Sequence, residues 1–184
     1  MAIIFELWVE CKDEQGIALL ARHFEGFEHH LATGRTITAL VEIINKPPSL
    51  FGLRVTPSEL SRSGVRTLQD GLETTEVGLQ LYYHLKSAPD FRYARVDWES
   101  ENITMSDLPE WVETWNNGVK RFEIECVVDN ALYEQLGKPE FCYPFRDGYW
   151  WTRYKGESYK PLYSGDQKAL NEFCKKLFPE YFAY

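Results

Sequence analysis

Glu6 and Glu10 near the start of the chain, and Glu123 and Glu125 further along, come closest to acid–base chemistry by type and spacing. Each pair lies in a stretch that alternates apolar and polar residues. In a strand, residues i and i+2 share a face about 6.7 Å apart. That spacing, held by Glu123 and Glu125, lies in the range between the two acids of a glycosidase and also lets two carboxylates share a cation, while Glu6 and Glu10 share a face two such steps apart. Glu6, Glu10 and Glu125 are therefore the candidates for a general acid or base, with Arg146 or Arg153 orienting an anionic or sugar substrate beneath Trp151. A solvated strand face produces the same alternation with no chemistry attached, and it is the commoner origin of such a pattern.

Aromatic residues are the second candidate group. Residues 141–163 hold nine aromatic side chains, and their four basic residues, Arg146, Arg153, Lys155 and Lys160, outnumber the acids Asp147 and Glu157. Arginine interleaved with aromatic rings can stack on planar or cationic ligands. Strand alternation places Tyr149, Trp151 and Arg153 on one face and Trp150 with Thr152 and Tyr154 on the other. Trp151 is the ring expected outside, because an arginine on its face is costly to bury unpaired. Trp8 is expected to face outward with Glu6 and Glu10, so the candidate binding residues are Trp151, Tyr149, Arg153, Arg146 and Trp8.

Metal chemistry finds no support. His23 and His30 align on a helix but lie about 10 Å apart along its axis, too far for one ion, and the adjacent His29 and His30 diverge. These histidines, with His84, read as helix-surface residues. Cys11, Cys126, Cys142 and Cys174 are widely spaced, with no C-x-x-C pair, and are expected to be reduced thiols. Phosphate-binding glycine loops, the G-x-S-x-G elbow and H-E-x-x-H are all missing from the sequence. No cofactor and no metal is expected.

Twenty basic against 28 acidic residues give a net charge of −8, which opposes sequence-independent binding to nucleic acid. The imbalance is local. Residues 97–134 hold ten acids and two bases, whereas residues 35–66 hold five bases and two acids. A one-sided acidic surface suits a basic protein partner. No stretch approaches the ~20 apolar residues of a membrane span, and the opening residues lack the pattern of a secretory signal, so a cytoplasmic protein is expected.

The elements that must position these residues follow from periodicity. Residues 3–11 read as a strand with Phe5, Leu7, Val9 and Cys11 on its buried face. Asp13 caps a helix whose stripe runs Ile17, Leu20, Phe24, Phe27, Leu31 and which ends before Gly34. Strands are expected over 36–45 and 51–56, a helical turn at Thr56-Pro57-Ser58-Glu59, a helix over 76–87 and a strand over 91–98. A short amphipathic helix opens at Ser106, a strand covers 120–128, and Asp129 caps a brief helix. Asp147-Gly148 turns a hairpin between 141–146 and 149–155. A helix capped at Ser164 and stopped by Pro179 closes the chain.

With 44% apolar residues, 184 residues suffice for one domain. The expected fold is α+β, a mainly antiparallel sheet with a ferredoxin-like (βαββαβ) core over 1–100. Residues 101–184, an aromatic hairpin and a terminal helix, are expected to pack on the same sheet. The expected function is a non-catalytic cytoplasmic binding or regulatory domain that touches its partner through the acidic segment and the hairpin. A small-molecule enzyme built on the carboxylates is the alternative. A self-associating subunit, a homo-oligomer using outward Trp8, Leu40 and Ile44, is the third.

Overall fold

The computed structural model describes residues 4–46, 50–60, 64–116 and 124–157, together with residues 172, 175, 176 and 179. In chain order the elements are β1 (Phe5–Glu10), α1 (Glu14–Phe24), β2 (Glu28–His30), β3 (Thr36–Lys46), β4 (Leu50–Pro57) and α2 (Leu68–Leu85). After β5 (Tyr93–Trp98) and two 3₁₀ turns come α3 (Leu108–Asn116), β6 (Cys126–Asp129), α4 (Asn130–Gln135), β7 (Tyr143–Arg146) and β8 (Tyr149–Trp151). The fold is α+β, and the strands form one antiparallel sheet in the order β2-β3-β4-β1-β5-β6-β8-β7. No helix among the described residues is long and apolar enough to cross a membrane.

Capping explains where the helices begin. The Asp13 side chain accepts from Gly16 N at the start of α1. Thr67 and Asp70 form a reciprocal capping box that starts α2 eight residues before the helix expected at 76. The pattern at Thr56 to Glu59 does not nucleate a turn of helix, because Thr56 and Pro57 are committed to β4, opposite Leu40 and Ala39. α1 stops at Phe24, so Phe27 and Leu31 leave the helical stripe, and the chain folds into β2 against β3 instead. This interposed strand, and the continuation of the sheet past β5 through β6, β8 and β7, separate the observed topology from a bare βαββαβ unit. The expected terminal helix lies outside the described residues apart from four isolated positions.

Both faces of the sheet are covered. On the inner face Leu7, Val9, Leu53, Val55, Ala94 and Val96 pack against Ile17, Leu20 and Phe24 of α1 and Val77, Leu81 and Leu85 of α2. Tyr82 of α2 reaches into the sheet where the β5–β6 ladder ends. Its hydroxyl accepts from Val96 N and donates to Glu125 O, each at 3.0 Å. The outer face carries a second core of Trp8, Tyr93, Cys126 and Val128 beneath Leu108 and Leu132. The 3₁₀ turns, α3 and α4 thus form a third layer. Gly52 of β4 makes room for Trp8: a Cβ there would lie 2.2 Å from the indole.

Candidate functional site

The strand phase expected for β1 holds, but its exposure does not. Glu6, Trp8 and Glu10 share the outer face, and all three are buried because the third layer lies over them. Glu6 Oε1 accepts from Ser100 Oγ at 3.3 Å and Glu101 N at 3.1 Å, while Oε2 faces Arg54 Nε at 3.2 Å. Burial pushes this carboxyl above its usual range, opposed by Arg54 and the Ser100 bond. Arg54 in turn meets Glu42 and Glu101, so three carboxylates surround one guanidinium. Glu10 Oε1 accepts from the Trp8 indole at 2.9 Å and Met105 N at 3.0 Å, and burial raises its pKa against both bonds. Glu125 Oε1 accepts from Lys155 N at 3.1 Å. These bonds hold the third layer and the C-terminal strand segment to the sheet. None of the three carboxylates lines the hollows described below.

The aromatic hairpin is also consumed by packing. Contrary to the expected exposure, Trp151 is 4% exposed and faces the inner core, its ring 5.7 Å from Tyr82 and 5.4 Å from Phe145. The argument from Arg153 fails because β8 ends at Trp151, and the guanidinium instead lies 3.9 Å over the Tyr143 ring. Tyr149 is buried, its hydroxyl accepting from Phe91 N and donating to Phe91 O. Arg146 stacks on Tyr149 at 4.1 Å and donates to the carbonyls of Lys86, Ala88 and Pro89, tying the hairpin to the loop after α2. Trp150, on the opposite face, is half-buried, stacks on Tyr133 at 4.2 Å and donates to Asn130 Oδ1.

The acidic segment is less open than its composition suggests. Asp97 pairs with Arg95, Asp129 with Arg92, Glu101 with Arg54 and Glu134 with Lys138. Glu110 and Glu113 on α3 are exposed, and Glu123 lies outside the described residues.

Histidines behave unlike helix-surface residues. His23 and His84 stack at 4.0 Å across α1 and α2, each Nε2 donating to the other's backbone carbonyl at 3.2 and 3.0 Å. His29 is fully buried in β2, both ring nitrogens lacking a hydrogen-bond partner among the described residues. Burial lowers its pKa to about 4, so it is neutral at physiological pH. The described cysteines, Cys11, Cys126 and Cys142, are free thiols. Thr152 stands next to both Cys126, whose carbonyl accepts from its N–H at 2.9 Å, and Cys142, whose Sγ lies 3.9 Å from its hydroxyl. No group of three or more metal-ligating side chains occurs among the described residues.

Three hollows stand out among the described residues. An apolar crevice under α3 is lined by Trp111, Val112, Ile124, Leu136, Phe141 and Cys142, with no carboxylate or arginine. A shallow basin of about 420 Å³ at one end of the sheet holds Arg92 and Asp129, already paired at 3.1 Å, and Asp129 also caps α4. The third, about 500 Å³, runs between α1 (Ala18, Ala21, Arg22) and the outer half of β3.

That half of β3 is the most open apolar part of the sheet. β2 pairs only with Thr36 to Thr38, and Ala39 N donates to Phe27 O. Thr38 O accepts from Ser58 N, so even-numbered residues of β3 turn their backbone to β4 and odd-numbered ones turn away from it. Val41, Ile43 and Asn45 therefore point N–H and C=O groups at an edge with no paired strand among the described residues. Leu40 is 56% and Ile43 46% exposed, while Ile44 is half-buried against the Trp8 cluster. Sequence reading found the apolar outward phase of Leu40 and Ile44 but missed the open edge. Ala39 to Ile44 carries apolar residues in both phases, broken by Glu42, and alternation records the two faces of a strand but not whether its edge is paired.

No known family, curated protein or solved structure matches the chain.

Proposed function

We propose that the chain is a non-catalytic cytoplasmic binding domain whose contact element is the open edge of β3, flanked by the groove against α1. One observation carries this reading: the candidate carboxylates are committed to internal bonds, whereas Val41, Ile43 and Asn45 keep an apolar strand edge open. An open edge of this kind binds by adding a strand, with main-chain bonds for affinity and alternate side chains for selectivity. Buried free thiols at Cys11 and Cys126 support a reducing compartment. A basic partner for the acidic segment is retained through Glu110 and Glu113, which are exposed on α3. The strand order β3-β4-β1-β5, with α1 and α2 on one face, supports reading the N-terminal half as a ferredoxin-like unit.

The test compares Ile43→Lys with Glu6→Gln and Glu10→Gln in size-exclusion of cell extract. The edge variant should lose every association the unaltered chain makes while keeping its melting temperature, and the carboxylate variants should retain them. Loss of association in the carboxylate variants with the edge variant unaffected overturns the reading.

A further inference from the structure

We infer that the β3 edge takes an extended segment of a partner protein in which a lysine or arginine, set between apolar residues, stands opposite Glu42. This rests on reading that edge as the contact element, and it names the chemistry of the partner. The main-chain part follows from the phase of β3. Val41 and Ile43 turn N–H and C=O outward, while Leu40, Glu42 and Ile44 turn theirs to β4. An incoming antiparallel strand exchanges its bonds with Val41 and Ile43. Glu42 then occupies the intervening unbonded position, where facing side chains come closest.

Charge selects the segment. Arg54 stands opposite Glu42 in the β3–β4 ladder, and its guanidinium is divided among three carboxylates, Nε facing Glu6, Nη1 Glu42 and Nη2 Glu101. One positive charge does not balance three acids, and Glu99 is near enough to raise the Glu6 pKa further. Glu99 and Glu101 belong to the acidic run of residues 97–134, so the fold sets part of that run beside the open edge. Glu42 accepts from Arg54 through Oε2 at 2.9 Å, Oε1 has no partner among the described residues, and the side chain is 62% exposed. Lys46, one step along the same face, is already engaged elsewhere. A second copy would bring the same excess of acid to the same edge, whereas a basic side chain offsets it. The neighbours of Glu42 set the rest. Exposed Leu40 and half-buried Ile44 share its face and call for apolar residues two places either side of the base. On the opposite face, the groove of about 500 Å³ beside Val41 and Ile43, floored by Ala18 and Ala21, takes the apolar residues adjacent to the base. Arg22 and Glu25 also line that groove, one of each sign, so it adds no net charge to the selection.

The probes are the peptide Ser-Ile-Val-Lys-Val-Ile-Ser, fluorescently labelled at its N-terminus and amidated, and the same peptide with glutamate at its centre. Both are titrated with the purified full chain and read by fluorescence anisotropy. Their symmetry presents the same side chains in either strand direction. The lysine peptide should bind and the glutamate peptide bind about tenfold more weakly, and Glu42→Lys should reverse that order. Methylating the two valine nitrogens of the lysine peptide should abolish binding. Ile43→Pro, which removes an outward N–H and no bond to β4, should do the same with an unchanged circular dichroism spectrum. Equal binding of the two peptides, or binding of neither, overturns the basic partner. If Ile43→Lys nevertheless abolishes association in extract, the contact-edge reading survives with a partner of other chemistry. Lysine-peptide binding that follows Glu42 but ignores both the methylation and Ile43→Pro is an acidic surface without strand addition, and it overturns both. A dimer in sedimentation velocity that Ile43→Pro dissociates places a second copy on the edge and overturns the partner segment.

Discussion

His29→Leu should remove much of the acid sensitivity of this fold. The imidazole is fully buried, neither nitrogen within bonding geometry of a partner among the described residues, and burial, opposed by the nearby Gln80 amide, lowers its pKa to about 4 in the folded chain against 6.5 when unfolded. Because the folded pKa is the lower one, the unfolded chain takes up this proton first. Stability is complete above about pH 6.5 and falls with pH until the folded ring protonates near 4. The difference corresponds to about 3 kcal/mol at the acid limit, of which about 2 kcal/mol is lost by pH 5. Glu6, Glu10 and Glu76 act in the opposite sense. Burial raises their folded pKa values, so their unfavourable contribution is relieved as pH falls, and this is common to both proteins. Leucine is close to histidine in volume and carries no polar atoms, so the variant should match or exceed the parent at pH 7. Urea unfolding of both proteins at pH 7, 6, 5 and 4 measures the difference. A stability gap that stays constant from pH 7 to 4 refutes the buried neutral imidazole and the placement of β2 that buries it.

Two glycines should respond oppositely to alanine. Gly52→Ala drives a methyl into the Trp8 ring, which its bond to Glu10 holds in place, and should cost about 1 to 3 kcal/mol. Gly16→Ala, within α1 and meeting nothing closer than 3.4 Å, should be neutral or stabilise by up to about 1 kcal/mol in the same denaturant assay. The two tryptophans of β8 should also separate. Trp151→Ala should cost about 3 to 5 kcal/mol as a buried ring, and Trp150→Ala less than about 2 kcal/mol, since it loses a half-buried stack on Tyr133. Equal losses measured by thermal melts would contradict the assignment of their faces.

Local rules settled much of this protein from its sequence. The side-chain phase of β1, the caps at Asp13 and Asp129 and the Asp147-Gly148 turn depend on a few neighbouring residues and on the fixed periods of helix and strand, so spacing alone reveals them. Alternation shows which residues share a face, but not whether that face is covered. Glu6, Trp8 and Glu10 share their face as the pattern required, and only the return of the 3₁₀ turns, α3 and α4 across it turned an apparent surface site into a second core. Trp151 was placed outside on the strength of Arg153, two residues on. The strand stops between them, and stacking on Tyr143 from a different strand is a contact that sequence spacing does not record. His29 and the open half of β3 follow the same logic. Burial of the ring and exposure of the edge are both fixed by β2 pairing with only the first residues of β3, a length set by where distant segments meet in space.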